Sequence, residues 1–354
     1  MKTIVVAECV TLDGVRRAPG DEPGHWPDAT DLTDQPADRS THVRRNVMKR
    51  RTFVAGGTAT GMALVSGASG LAQEQAGRAT PAEGETMTQT DVQSGYAPVN
   101  GLQMYYEIHG TGEPLVLLPG GFMTVAMLEP LVAELAQTRQ VIAVELEGHG
   151  HTPILDRPLR FEQMADDVAA LIQHLGLAPA DLFGYSTGGE TALQTAIRHP
   201  DVVRKLVLAS TSYASDGWYP EILTAMGSMT PEVMTQSPYY EPYLSVAPNP
   251  DDWPVFVDKM RVLLAEEPYD WADDVAAIEM PTLLIFGDAD SVRPEHIVEM
   301  FRLLGGGVPG DVVPLPTAQL AILPRTAHSE VWLRIDWLAP MITEFLDEPM
   351  PEAE

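Results

Sequence analysis

The stretch Asp181-Leu182-Phe183-Gly184-Tyr185-Ser186-Thr187-Gly188-Gly189-Glu190 decides how this chain is read. Asp181 to Tyr185 is a short apolar run of the length of a buried strand, and a helix-like run from Thr187 to Arg198 follows it. Between them stands a serine among small residues, in the spacing Gly-x-Ser-x-Gly. On a tight, strained turn the serine hydroxyl is pushed clear of the backbone, and only glycines at 184 and 188 let neighbouring chain pass so close. The helix that starts straight after the serine points backbone N–H groups at the same place. The five-residue pattern alone is common; its strand, its helix and its downstream partners make it informative.

A serine nucleophile needs a base, and the base needs an orienting acid. After such a turn the expected chain order is serine, acid, histidine. An apolar run at Thr282–Gly287 leads into Asp288-Ala289-Asp290, where two carboxylates compete for the acid's role. Further on, Leu323-Pro324-Arg325-Thr326-Ala327-His328 puts a histidine in the loop after the last apolar run.

The rest of residues 95–348 alternates strand and helix. Strands are expected at Leu102–His109, Pro114–Leu118, Val141–Glu145, Asp181–Tyr185, Lys205–Ala209, Thr282–Gly287 and Ala318–Leu323. Helices are expected at Met123–Gln137, Phe161–Leu175, Thr187–Arg198, Pro294–Leu304 and Val331–Leu346. An opening hairpin followed by apolar runs between helices predicts an α/β fold, a mostly parallel sheet covered on both faces. Residues 212–275 break the rhythm with Tyr, Trp, Met and Pro, and read as a small helical cap inserted between two core strands.

These pieces resemble the alpha/beta-hydrolase superfamily. The resemblance rests on YYEIHGTGEPLVLLPGG (105–121), ELEGHGHT (145–152), GYSTGG (184–189), PTLLIFGDAD (281–290) and LPRTAH (323–328), and spans nearly all of residues 95–348. It implies Ser186 as nucleophile, Asp290 as the acid three residues after the strand-ending glycine, and His328 as the base. It leaves Asp288 to cap the following helix or to form a salt bridge. It also implies an oxyanion hole from the backbone N–H groups of Thr187 and Gly121. Where the family commonly has His-Gly before that second donor, this chain has Pro119-Gly120; where it usually carries arginine before Gly-His-Gly, this chain has Glu147.

Phe122, Tyr185, Trp218 and Met226 are candidate walls of the substrate pocket, and the Met- and aromatic-rich insertion predicts an apolar, adaptable one. His149 is expected to brace its loop, and a place near the pocket is only the lesser alternative for His151. No cofactor is needed for this chemistry, and no group of histidines and carboxylates has metal-ligand spacing. The reaction expected is hydrolysis of a small or medium uncharged carboxylic ester. The same three residues also serve lactonases, carbon–carbon hydrolases and cofactor-free haloperoxidases, and proteins of this fold include ligand-binding receptors.

Charge narrows the partners. The formal net charge is −28. Residues 1–90 are nearly balanced, whereas residues 91–354 hold only two lysines, Lys205 and Lys259, amid a large acidic excess. Such a surface repels nucleic acid, anionic lipid and anionic substrates. It fits either a salt-loving host or a GC-rich genome. The one cysteine is Cys9, so the globular part can form no disulfide.

The N-terminus reads as three pieces. Residues 1–47 open like the first strand and loop of the dihydrofolate-reductase-like reductases of riboflavin synthesis, then turn Pro-, Asp- and Arg-rich, and are expected to be a disordered extension. Residues 48–73 have a basic start, a mild Gly/Ala/Val/Ser-rich apolar centre and a small-residue exit, as in a secretory signal peptide. Arg50-Arg51 resembles the twin-arginine type, which implies the twin-arginine export machinery as partner and a periplasmic or extracellular destination. The apolar centre is too short and glycine-rich for a stable membrane anchor. Residues 74–94 read as a polar linker.

Overall fold

The computed structural model describes residues 92–351. The expected N-terminal extension, the signal segment and most of the linker lie outside the described residues. From Val92 onward the chain builds one eight-stranded sheet, ordered β1-β2-β4-β3-β5-β6-β7-β8. The strands are β1 Gln93–Val99, β2 Leu102–His109, β3 Pro114–Leu118, β4 Gln140–Val144, β5 Ala180–Tyr185, β6 Val203–Ala209, β7 Thr282–Ala289 and β8 Ala318–Ala327. The pairs β1–β2 and β2–β4 are antiparallel, and the remaining five are parallel.

Alternation along the central strands sorts their side chains into two cores. Val116, Leu118, Ile142, Val144, Leu182, Leu206, Leu208, Leu284 and Phe286 face one way. Leu115, Leu117, Val141, Ala143, Phe183, Val207, Leu283 and Ile285 face the other. Helices α1 (Glu129–Leu135) and α10 (Ile335–Asp347) cover the second face, through Leu131, Leu135, Leu338 and Ile342. Helices α2 (Phe161–His174), α3 (Thr187–Arg198) and α9 (Pro294–Leu303) cover the first, through Met164, Val168, Leu193 and Met300. Each fully buried Leu, Val or Phe is worth about 1.5–3 kcal/mol, so the sheet's two faces supply most of the driving force.

Between β6 and β7 the chain leaves the sheet and forms α4 (Pro220–Gly227), α5 (Pro231–Met234), α6 (Tyr240–Val246), α7 (Trp253–Arg261) and α8 (Ala272–Val275). On α7 the spacing Trp253, Phe256, Val257, Met260 turns one apolar stripe downward, and all four are buried. Both lysines of this acidic region clamp main chain. Lys205 Nζ donates to the Phe345 and Leu346 carbonyls at 2.8 and 3.2 Å, capping the end of α10. Lys259 Nζ donates to the Leu155 and Arg157 carbonyls at 2.5 and 2.7 Å, tying α7 to the loop after β4.

Three expectations on element bounds need correction. Strand β1 begins inside the stretch read as linker; Gly95 and Pro98 mask its pattern, and an edge strand tolerates both. The helix expected from Met123 starts as a short 3-10 turn at Val125, with α1 following at Glu129. Its start is delayed because Phe122 adopts a left-handed φ of 66° and the Val125 N–H donates to the Glu145 carboxylate at 3.0 Å. The helix expected from Val331 is broken at Arg334, after a 3-10 segment His328–Leu333.

Candidate active site

The turn from β5 into α3 is built from close backbone contacts. Ser186 has φ 51° and ψ −125°, a left-handed conformation that costs a side-chain-bearing residue roughly 1–3 kcal/mol. A Cβ on Gly184 would lie 2.3 Å from the Gly188 carbonyl oxygen. One on Gly188 would lie 2.3 Å from the carbonyl oxygens of both Leu118 and Pro119. Neither position admits a side chain, which is the physical content of the two glycines in the pattern. The Ser186 N–H donates to the Ala209 carbonyl at 2.9 Å, holding the turn on β6.

His328 arrives from the opposite side, directly after β8. Its Nε2 stands 3.1 Å from Ser186 Oγ and its Nδ1 2.9 Å from Asp290 Oδ1. The carboxylate at Nδ1 can only accept, so Nδ1 carries the proton and Nε2 is free to accept one from the serine. Asp290 is buried, and its Oδ2 takes a hydrogen bond from Ser210 Oγ at 2.6 Å and another from the Gly287 N–H at 3.0 Å. Burial pushes the Asp290 carboxyl up, but His328, Ser210 and Gly287 outweigh it and hold the acid below its ordinary value. A Cβ on Gly287 would sit 2.0 Å from the Thr326 carbonyl oxygen, so this glycine lets the ends of β7 and β8 close and bring acid and imidazole together.

Asp288 faces outward and accepts the Thr326 N–H at 3.1 Å. It braces the strand that delivers His328, rather than capping a helix or pairing with a cation as expected. Tyr185 also differs from expectation. Strand alternation sends its ring to the α1/α10 side, where its hydroxyl donates to the His328 carbonyl at 2.8 Å. It supports the histidine from below and does not wall a pocket. Trp218 does face the site, its ring edge-on to His328 with centroids 5.3 Å apart. Met226 lies on α4, half-buried in the cap's apolar cluster.

Thr187 is the first residue of α3, where a backbone N–H has no intrahelical acceptor. Gly121 lies beside it: a Cβ on Gly121 would stand 2.9 Å from Thr187 Oγ1 and 2.9 Å from the Met260 ε-carbon. Phe122 extends from the same loop into an aromatic wall with Phe256 and Trp253, at centroid distances of 5.2 and 5.9 Å. Four of the five non-glycine residues with left-handed φ among the described residues cluster here: Phe122, Ser186, Ser210 and Arg325. Strain concentrated in this way marks a geometry held for a purpose other than stability.

Several contributors escaped the sequence reading. Ser210, behind Asp290, carries no motif. Phe256 and Met260 were legible only as an apolar stripe on a helix within the insertion. Glu190 is buried, accepts the Ser212 N–H at 3.0 Å, and its second oxygen finds no partner among the described residues. Burial pushes its carboxyl well above the ordinary value. His149 braces its loop as expected, its Nδ1 3.0 Å from the Glu147 carbonyl. His149 stands against Phe256 at 4.8 Å, while His151 stacks on Tyr105 and pairs with Glu145 at 2.9 Å. Arg157 bonds Glu147 at 2.7 Å and Asp167 at 2.6 Å, so a cation returns to this loop from ten residues downstream.

Comparison with known proteins agrees with the architecture. Residues 113–304 match the family model for the alpha/beta hydrolase fold. A pimeloyl-[acyl-carrier protein] methyl ester esterase of Neisseria meningitidis serogroup B is 30% identical over 242 residues, covering 62% of this chain and 88% of that protein. Among solved structures, the enol-lactonase of Burkholderia xenovorans superposes with a TM-score of 0.53 at 22% identity, covering 72% of this chain and all of that one. A carboxylesterase of Bacillus subtilis superposes with a TM-score of 0.57 at 20% identity, covering 73% and 93%. The two structural likenesses are likenesses of fold. With the family model spanning more than half of the sequence, the chain belongs to the alpha/beta hydrolase fold family and is a carboxylesterase-like enzyme.

Proposed function

We propose that this enzyme cleaves a small or medium uncharged carboxylic ester through a covalent acyl-serine. Ser186 Oγ attacks the acyl carbonyl while His328 Nε2 takes its proton. Asp290 holds the ring and balances the charge on the imidazolium. The Thr187 and Gly121 N–H groups receive the oxyanion. His328 then protonates the departing alkoxide. In the second half it deprotonates a water, which attacks the acyl carbon and frees the acid and Ser186. Exchange of electrons is nowhere required.

The observation that carries this reading is the unbroken line Ser186 Oγ, His328 Nε2, His328 Nδ1, Asp290 Oδ1, with links of 3.1 and 2.9 Å, on a serine held in a strained turn. The apolar wall beside it and the acidic surface both favour a neutral substrate. The name of the Neisseria relative, a methyl ester esterase, is in keeping with it. The same reading has the chain exported through its twin-arginine-like segment, which protein recovered from a periplasmic or culture fraction with its N-terminus near residue 74 would support.

The test is turnover of p-nitrophenyl esters from acetate to decanoate by the full chain and by Ser186→Ala. Turnover should depend on acyl length and fall by about 10³-fold or more in the variant. More than a few per cent of the rate surviving in Ser186→Ala would refute the assignment.

A further inference from the structure

The loop after β3, residues 119–124, carries Gly121 and Phe122 and is held from two sides. At its front it lies on the nucleophile turn, where a Cβ on Gly188 would meet the Leu118 and Pro119 carbonyl oxygens and one on Gly121 would meet Thr187. Within it the Met123 N–H donates to the Gly120 carbonyl at 3.1 Å, and Phe122 keeps its left-handed φ of 66°. A side-chain-bearing residue holds that conformation only where its surroundings enforce it. At its back, Val125 opens the 3-10 turn, so its N–H has no acceptor within that turn. The ordinary remedy is the side chain just before the turn, yet the Thr124 hydroxyl makes no cap. The Val125 N–H donates instead to Glu145 Oε1 at 3.0 Å.

Glu145 follows β4 directly, its side chain 1% exposed. A carboxylate taken out of water is tolerated only when its lone pairs are used. Its second oxygen accepts the His151 N–H at 2.5 Å and lies 2.9 Å from His151 Nδ1. The His151 ring is fixed in turn by stacking on Tyr105, with centroids 4.1 Å apart. The Thr152 hydroxyl donates to the Glu145 carbonyl at 2.7 Å and accepts the Tyr105 N–H at 2.9 Å, so the main chain of Glu145 is pinned as well. Gly150 passes so close that a Cβ there would lie 2.3 Å from the carboxyl carbon and from both oxygens. A carboxylate clamped this tightly ties residues 119–124 to the end of β4, the strand that runs beside β3 in the sheet. A local cap by Thr124 would leave the loop without that tie.

We propose that Glu145 is a positioning residue for the oxyanion hole: its carboxylate, clamped by residues 150–152, holds the Val125 end of the loop and so sets the direction of the Gly121 N–H. The inference rests on the ester-hydrolase reading above, in which that N–H receives the oxyanion. The effect of Glu145 passes through Val125 to Gly121, four residues back in the chain. An oxyanion donor counts most where negative charge develops, so misdirecting it slows the chemical step and leaves substrate binding nearly as it was.

The experiment deletes the bond from each end in the full chain. It measures kcat and KM separately for the best of the p-nitrophenyl esters, and inhibition by a trifluoromethyl ketone, which adds to a serine as a tetrahedral oxyanion. Glu145→Gln keeps the shape but leaves one acceptor oxygen for two N–H donors. Val125→Pro removes the N–H itself, and Thr124, extended at ψ 160°, suits the residue before a proline. In each, kcat should fall by about 10²-fold with KM nearly unchanged, and the ketone should bind more weakly by the same factor as kcat/KM falls. Unchanged kcat in both variants would overturn the inference, as would a rise in KM at unchanged kcat, or a fall in kcat with ketone affinity intact. Loss of folded protein in both, read by calorimetry, would also overturn it, because the bond would then support the fold and not the hole. Each of these leaves the ester-hydrolase reading standing, since the unsubstituted chain still turns over. No turnover of any ester by the unsubstituted chain would overturn that reading and this inference with it.

Discussion

The nucleophile turn and the cap are held by different means. In β5 every residue is buried, and the turn after it closes on backbone atoms at distances that exclude a single added carbon. The cap is graded. Helix α7 buries four side chains over the site; α5 and α6 bury one each, Met234 and Tyr243; α4 buries none. The turn is specified by sterics, which dictate residue type. The cap is specified by burial of a stripe, which dictates only that some residues be apolar. Elements with few buried contacts open at the lowest cost. The outer cap helices α4–α6 are therefore the part of the cap that opens at the lowest cost, while the turn is held by sterics.

That contrast can be broken by substitution. Phe256→Ala should cost the most, about 3–5 kcal/mol, because the ring is fully buried between Phe122, His149, Trp253 and Tyr243. Val233→Ala, exposed on α5, should stay within about 0.5 kcal/mol. Equal losses in chemical denaturation would show the cap to be uniform rather than graded. Gly188→Ala should cost about 3 kcal/mol and lower Tm by roughly 6 °C or more, since the added methyl meets two carbonyl oxygens that cannot retreat. An unchanged Tm would mean that the turn relaxes and that sterics do not set its sequence.

A smaller effect than those of Phe256→Ala and Gly188→Ala concerns the buried acids. Asp290 and Glu190 both lie beneath the turn, yet their carboxyls move in opposite directions. Asp290 is held below its ordinary value. Its stabilising contribution is present above the ordinary carboxylate range, about 4, and is lost as pH falls through the folded value. Glu190 is raised by burial, so the fold holds its proton more tightly than the unfolded chain does. Its contribution is present below the ordinary range and is lost as pH rises towards the folded value. Glu190→Gln removes the second dependence. It should raise Tm at pH 8 relative to pH 5 by an amount worth about 1 kcal/mol, measured by calorimetry at the two pH values. A stabilisation equal at both would mean that Glu190 is not the source of the slope.

What was legible in the sequence divides along the same line. Strands β2 and β3 and helix α3 have the bounds predicted for them, and β5 differs by one residue; β2 leaves an alternating pattern, and the other three, largely buried, leave continuous ones. Ser186, Asp290 and His328 stand in the predicted order and meet in space, since glycines at 184, 188 and 287 leave a visible trace of the close contacts that deliver them. Ser210, Phe256 and Met260 left no such trace. Their positions depend on β6 lying beside β7 and on α7 folding back over the loop that carries Gly121, contacts between residues far apart in the chain. Tyr185 shows the limit of reading adjacency as function. It is next to the nucleophile in sequence, yet the period of two along β5 turns it to the opposite face. His149 shows the converse, a residue expected only to brace a loop that reaches the pocket wall.

The central claim is that Ser186 is the nucleophile activated by His328 and Asp290. Its most direct test is reaction of the full chain with a fluorophosphonate, followed by peptide mass spectrometry. The account predicts one covalent adduct on Ser186, formed rapidly by the unsubstituted chain, absent in Ser186→Ala and strongly slowed in His328→Ala. No adduct, an adduct on another residue, or labelling of Ser186 at the same rate without His328 would contradict it.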